Sequence, residues 1–321
     1  MKRPSLALII ILVAAFAYLT SGCTPRSNES QPETPQTKKQ LKVYTTIYPL
    51  YDFARNIGGE RVSVINMVPP GIEPHEYEPS PKDIAAVERG GVFIYCGAGM
   101  ESWAQRVEKT LKERGVIVVD GSKGIELLDI DGEPVKPDHS SAMHSDPHIW
   151  LDPLRAVQIV ENIKEGFCLA DPQGKDYYET NASNYKEELI NLHKEYQKAL
   201  SSPPKRSFVT SHAAFGYLAN RYGLKQIPLR GISPEAEPSP GRMAEVINKM
   251  REEKLDYIFI ETTVSPKVSE IIASETGAKI LVLNPLGNLT KDEIAAGKNY
   301  FSVMRENLEA LKTALGVKNG E

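Results

Sequence analysis

The sequence predicts an α/β protein built as two lobes of similar size, each with a parallel sheet, joined by one long rigid helix. Three observations carry this. From Leu41 onward, short apolar β-rich runs alternate with amphipathic segments, at residues 42–47, 62–68, 92–95 and 116–119. Near-continuous apolar strands between helices belong to parallel sheets covered on both faces. A second series of the same kind follows at residues 207–210, 225–228, 257–260 and 279–283. Between the two series, Tyr178, Ala182, Tyr185, Leu189, Leu192, Tyr196 and Leu200 recur at three- and four-residue spacing, the period of one amphipathic helix.

Along the chain, Lys2 and Arg3 precede an apolar run from Leu6 to Leu19 that stops at Thr20-Ser21-Gly22-Cys23. A membrane span needs about 20 apolar residues, so the run is too short to cross comfortably. A charged start, a short apolar stretch and small residues describe a cleavable export signal, here residues 1–22. Because a Cys rather than an A-x-A site closes it, the sharper reading is a lipoprotein signal, with Cys23 acylated and the chain anchored by lipid outside the cytoplasm. An ordinary secretory signal with an incidental Cys is the alternative, since Thr20 stands where Leu is usual. Residues 23–40 form a flexible tether, because Ser, Pro, Gln, Asn, Glu, Thr and Lys cannot bury enough surface to offset chain entropy.

The first lobe then covers residues 41–170, the linking helix 171–203 and the second lobe 204–321. Pro203-Pro204 ends the helix by removing backbone donors. The lobes are thus joined by a stiff rod, which permits smaller relative motion than flexible hinges. A net charge of -4 provides no basic face for nucleic acid. Cys96 and Cys168 can pair in an oxidising compartment, but both sit in apolar company, which favours buried free thiols.

Four of the six histidines lie where strands end or loops begin. His75 sits in a Pro- and Gly-rich loop directly after the second apolar run, the place where open α/β sheets hold ligands. His148 lies in a second loop, and His212 follows the run at 207–210. A lone His is usually structural. Three at successive loop mouths, two before the linking helix and one after it, can converge between lobes. Neutral imidazole is the commonest nitrogen ligand of zinc, and three such ligands make most of a tetrahedral shell.

The segments PPGIEPHEYEPSP, DPHIWLDP, SHAAFGYLANRYGL and GISPEAEPSP, in this order behind a lipoprotein signal, resemble the zinc and manganese solute-binding proteins of ATP-binding-cassette importers. The resemblance runs from about Leu41 to Leu315. It implies two pseudo-symmetric lobes bridged by a long helix, with the metal in the interlobe cleft. It also implies a monomer that captures a divalent transition metal outside the membrane and passes it to a cognate permease. Carried over by motif, the metal ligands are His75, His148 and His212. A His at the third position resembles the zinc branch, where manganese-preferring members usually have Glu, so Zn²⁺ is the expected cargo and Mn²⁺ the alternative. At the fourth position the chain departs from the pattern, because Asn284 and Gly287 stand where members carry a carboxylate. Water, the Asn284 amide oxygen or the Glu261 carboxylate then completes the shell, although the motif around Glu261 more often serves cleft hydrogen bonding. Residues 138–146 match a much longer His-rich loop of the zinc branch, and His139 and His144 are either auxiliary metal captors or parts of a solvated loop.

Other features read as structure. Gly97-Ala98-Gly99 lacks the spacing of a dinucleotide fingerprint and its downstream acid, and makes a tight turn before a helix near Glu101. His193 is a surface residue of the linking helix, and Trp103 and Trp150 are lobe-core or cleft-wall aromatics. An enzyme using three-His zinc and activated water would need a general base, and only Glu73, Glu76 and Glu78 stand near, as shapers of the His75 loop. Binding rather than catalysis is therefore expected, with adhesion as a secondary role. Mass spectrometry of the mature N-terminus should find a lipid-modified Cys23; an unmodified Thr24 or an intact signal would rule the lipoprotein reading out.

Overall fold

The computed structural model describes residues 40–135 and 145–318, all within the compact unit Lys39–Glu321. The signal, the tether up to residue 39 and Cys23 lie outside the described residues, as do His139 and His144. The first sheet contains β1 (Leu41–Thr45), β2 (Val62–Asn66), β3 (Val92–Tyr95) and β4 (Ile117–Asp120), all parallel, in the order β2-β1-β3-β4. The second contains β5 (Ser207–Thr210), β6 (Lys225–Pro228), β7 (Tyr257–Ile260) and β8 (Lys279–Val282), also parallel, in the order β6-β5-β7-β8. Each lobe thus repeats one winding: the first strand is internal, the second goes to one edge and the third crosses to the other side. Ligands of such sheets bind at the carboxyl ends of the strands where the winding reverses, between β1 and β3 in one lobe and between β5 and β7 in the other.

Local chemistry sets the boundaries. The first run ends at Thr45, two residues short of its expected end, because Tyr48 opens helix α1 (Tyr48–Gly58) with Pro49 in its first turn. Proline is preorganised for that position. Helices α2 (Pro81–Val87), α3 (Ser102–Glu113) and α4 (Pro153–Ala170) complete the first lobe. A side-chain oxygen caps α2 and α4 at their N-termini: Ser80 accepts the Asp83 N–H, and Asp152 that of Leu154. Gly97, Ala98 and Gly99 all have positive φ, and the Glu101 carboxylate gathers the N–H groups of Cys96 and Gly97. Only glycine fits at 97, where a Cβ would lie 2.2 Å from Asp120 Oδ1.

The linking helix α5 (Lys175–Ala199) has 25 residues, a rod about 37 Å long at 1.5 Å per residue. It buries Tyr178, Ala182, Tyr185, Leu189, Leu192 and Tyr196, the stripe that the spacing picks out. The second lobe adds α6 (Gly216–Tyr222), α7 (Pro240–Glu252), α8 (Lys267–Thr276), α9 (Lys291–Ala295) and α10 (Tyr300–Leu315). One hydrophobic cluster runs from Val43 and Phe53 through Phe167, Tyr185 and Tyr196 to Phe208 and Leu311, so the lobes share a core. Each lobe also has a private cluster, around Phe93 and Trp103 in the first and around Val246 and Ile258 in the second.

A buried carboxylate fastens this junction. Asp52 of α1 accepts from Tyr185 Oη of α5 (2.9 Å), from the N–H of Tyr300 that opens α10 (3.1 Å) and from Asn56 Nδ2 (2.8 Å). Burial pushes its pKa up, and the Tyr300 and Tyr185 donors work against the shift. Cys96 and Cys168 are free thiols, the first buried and the second half-buried. Phe53 is fully buried, edge-on to Tyr185 and Tyr300. Phe53→Ala should therefore cost about 3–5 kcal/mol, read as a lowered urea midpoint; a loss below 1 kcal/mol, roughly the scale of an exposed site, would show that the junction is not packed as described.

Candidate metal centre

The three loop histidines meet. His75 lies in a 3-10 turn, Pro74–Glu76, on the loop after β2, where the Glu73 carboxylate accepts its N–H. The loop is pinned to the second lobe: Asn288 Nδ2 donates to the carbonyls of Pro69 (2.6 Å) and Ile72 (2.9 Å). His148 precedes the turn Ile149–Leu151. Asp146 Oδ1 accepts both its backbone N–H (2.9 Å) and its Nδ1 (2.7 Å). His212 stands two residues past β5, and its Nδ1 reaches Glu261 Oε1 at 2.6 Å. Sheet register produces that last pair. Val209 of β5 is level with Ile258 of β7, and counting three residues on along both parallel strands brings His212 level with Glu261.

With Nδ1 of His148 and His212 committed to carboxylates, their Nε2 atoms face inward, the usual means of fixing tautomer and ring orientation behind a metal. His148 Nε2 lies 3.1 Å from His75 Nε2 and 3.3 Å from His212 Nε2. Ligands about 2.0–2.1 Å from a tetrahedral ion stand about 3.3 Å apart, so the spacing suits one ion. Glu73, Pro74, Met100, Trp150, Thr263, Pro285, Gly287 and Asn288 close the space around the rings, leaving about 10 Å³. That is about the room one water or ion needs.

Electrostatics divides the three rings. Burial holds His75 and His148 well below the ordinary imidazole pKa, and neighbouring rings add to the effect. For His212 burial pulls the same way, but the Glu261 carboxylate, with Glu73 and Asp146 behind it, outweighs burial and raises the pKa. Burial also pushes up the carboxyls of Asp146 and Glu73.

At the fourth position, Asn284 is engaged elsewhere. Its amide oxygen accepts the Leu286 N–H (2.8 Å), and its Nδ2 donates to Glu293 Oε1 (3.0 Å). It is a buried structural amide, already satisfied, and does not line the pocket. Gly287, the other position at which the chain departs from the family pattern, does line it. Glu261 is beside the site but behind His212, with Oε2 lacking a hydrogen-bond partner. Glu73 is the carboxylate on the pocket wall. Its Oε2 accepts the Thr263 hydroxyl across the cleft (3.3 Å), a role that reaches past its own loop. Glu76 likewise meets Ser233, and Glu78 meets Arg106. His193 is half-buried rather than a free surface residue, stacked on Tyr222 with Nδ1 3.2 Å from its hydroxyl. Trp150 is cleft wall, donating Nε1–H to Pro285 O (2.8 Å), and Trp103 is lobe core. The Asp146–His148 pairing is what sequence reasoning missed; the acid two residues before the His was its only signal.

Two parallel α/β lobes on one stiff helix, with imidazoles from both lobes around space for a single ion, define a two-lobed binding protein for a metal. The chain belongs to the family described as zinc-uptake complex component A, periplasmic, whose pattern matches residues 43–314. The high-affinity zinc uptake system protein ZnuA of Bacillus subtilis is 38% identical over 316 residues, 97% of this chain and 98% of that protein. The zinc-binding lipoprotein AdcA of Streptococcus pneumoniae is 40% identical over 317 residues, 97% of this chain but 61% of that longer protein. The Zn(II)-bound ZnuA-like domain of AdcA superposes with a TM-score of 0.75 at 39% identity, covering 86% of this chain and 99% of the domain. The laminin-binding protein Lmb of Streptococcus agalactiae, described as having adhesin and metal transporting activity, matches with a TM-score of 0.76 at 34% identity, over 86% of this chain and all (100%) of Lmb.

In the metal-free protein the pKa directions order the protonation. As pH falls, His212 should take up its proton first, above the ordinary value of about 6.5, and His75 and His148 only well below it. Imidazole NMR titration of the metal-free chain would read this directly, and the reverse order would refute the assignment of Glu261 as the partner of His212.

Proposed function

We propose that this chain captures zinc outside the cytoplasmic membrane, held there by lipid on Cys23, and delivers it to the permease of an ATP-binding-cassette importer. His75, His148 and His212 are the ligands. The observation that carries this is the triangle of Nε2 atoms, with edges of 3.1 and 3.3 Å. The names of the relatives and the zinc bound to the AdcA domain support the choice of cargo. Ligand chemistry agrees: affinity at nitrogen sites rises along the first-row series, whereas manganese prefers oxygen-rich, higher-coordinate shells. A hydrolase is the poorer reading, because about 10 Å³ beside the rings admits no substrate. The likeness to the laminin-binding protein supports adhesion as a secondary role.

Single Ala replacements of His75, His148 and His212 should each weaken zinc binding by more than about 100-fold, since even partners behind the ligands are worth about 10–100-fold. Zinc titration by calorimetry checks this, with circular dichroism confirming the fold. Because the ligands must be neutral and the pKa of His212 is raised, the same titrations should show affinity increasing with pH through the His212 transition. Wild-type affinity in any of the three variants would remove that residue from the ligand set.

The fourth position can be tested separately. Gly287 lines the pocket, and a Cβ there would meet Pro74 Cγ at 3.1 Å, a contact that a shift of a few tenths of an ångström relieves. Gly287→Glu should bring a carboxylate to the ion and improve manganese relative to zinc. Asn284→Asp should leave metal preference unchanged and lower stability, because it sets a second acid against Glu293. Competition titrations of both variants decide between the positions, and a change in preference on Asn284→Asp alone would place the fourth ligand there.

A further inference from the structure

Gln226, the second residue of β6, reaches across the whole connection between β5 and α6. Side chains alternate along a strand. Ile227 joins the second-lobe cluster around Val246 and Ile258, so Gln226 turns to the opposite face, toward the loop that carries His212. Its amide is engaged there on both ends. Nε2 donates to Thr210 Oγ1 (2.9 Å) and to the His212 carbonyl (2.8 Å), and Oε1 accepts the Phe215 N–H (2.8 Å), one residue before α6. Because the Thr210 hydroxyl accepts from Gln226, its own proton is left to donate, and it goes to the same His212 carbonyl (2.8 Å). The Ala214 N–H adds a third bond at 3.0 Å. A carbonyl has two lone pairs, so three donors leave this one little freedom.

The other edge of the same peptide is held as well, since the Ala213 N–H donates to Gly231 O (3.0 Å). Thr210, His212 and Ala213 are buried, where water does not replace a lost partner. Such rigidity matters at this residue because its ring has two contacts to meet at once. Nδ1 stands 2.6 Å from Glu261 Oε1, and Nε2 stands 3.3 Å from His148 Nε2. A turn of the backbone would swing the Cα–Cβ bond and spoil both. We infer that Gln226 is a positioning residue for the metal centre, setting the His212 peptide so that the ring meets Glu261 with one nitrogen and the ion with the other. The second half of this inference rests on the reading of His212 as a zinc ligand. Gln226 itself lies behind the ring and does not line the metal pocket.

Two variants test it. Gln226→Met keeps the length and removes the amide, and Thr210→Val keeps the shape and removes one of the three donors. Long-range proton–nitrogen NMR of the metal-free chain at alkaline pH reads the ring of His212 without zinc. In the wild type its proton should be fixed on Nδ1; in both variants the two tautomers should mix, while His148, held by Asp146, keeps its wild-type shifts. Zinc titration of the same variants should show affinity lowered by about tenfold, the low end of the effect of residues behind a ligand. Circular dichroism confirms folding, and whichever variant folds decides. An amide that only stabilises the fold would lower the thermal midpoint and leave the His212 shifts and the zinc affinity as in the wild type, and this result overturns the inference. Equal disturbance of His148 and His212 would overturn it too, as general loosening of the cleft. If the wild type takes up no zinc but the His212 tautomer still depends on Gln226, the positioning stands and the zinc reading falls.

Discussion

Holding three imidazole nitrogens about a hydrogen-bond length apart in a nearly dry cleft is the constraint on which the remaining architecture depends. Dry surroundings favour neutral rings, and neutral rings turn or change tautomer so that their lone pairs avoid one another unless something behind them fixes their orientation. Asp146 and Glu261 do so for His148 and His212. Asp146 is itself held from the second lobe, where Tyr217 Oη donates to its carbonyl (2.8 Å). The approach is so close that a Cβ on Gly216 would lie 2.6 Å from Asp146 Oδ2. Orientation in the site is thus inherited from packing between lobes.

That packing is continuous. The main hydrophobic cluster passes from one sheet through α1, α4 and α5 to the other sheet and α10. Its weak point would be the helix junction, and there Asp52 ties α1, α5 and the start of α10 with hydrogen bonds. A buried carboxylate supplied with donors specifies one arrangement of its neighbours, because any other leaves it unsatisfied.

Much of this was legible in the sequence. Strand runs and the linking stripe were readable because periodicity reports which face is covered, and errors at their ends came from local features such as Pro49 opening α1 early. The meeting of His75, His148 and His212 was readable because all three follow strands or sit on Pro-rich loops. Contacts fixed by register across long separations were not. Nothing near His212 announces Glu261, 49 residues away; only the pairing of β5 with β7 does. Motif position carries no information about which way an amide turns, and Asn284 turns to Leu286 and Glu293. His193 misled for a related reason, since an exposed face of α5 becomes half-covered once Tyr222 packs against it.

The three rings are unequal in their backing, and this gives the site a direction in time. His148 and His212 are fixed from behind by carboxylates within the shared interior. His75 is only partly buried and rides on a Pro- and Gly-rich loop tied down by Asn288. On the proposed ligand set, His75 is the donor that can leave the ion without disturbing the shared interior, once its loop is released from Asn288. Residence time would then be governed by how often one loop lifts, rather than by any swing of the halves, so the exchange rate can be retuned at the Asn288 tether without altering a single donor atom.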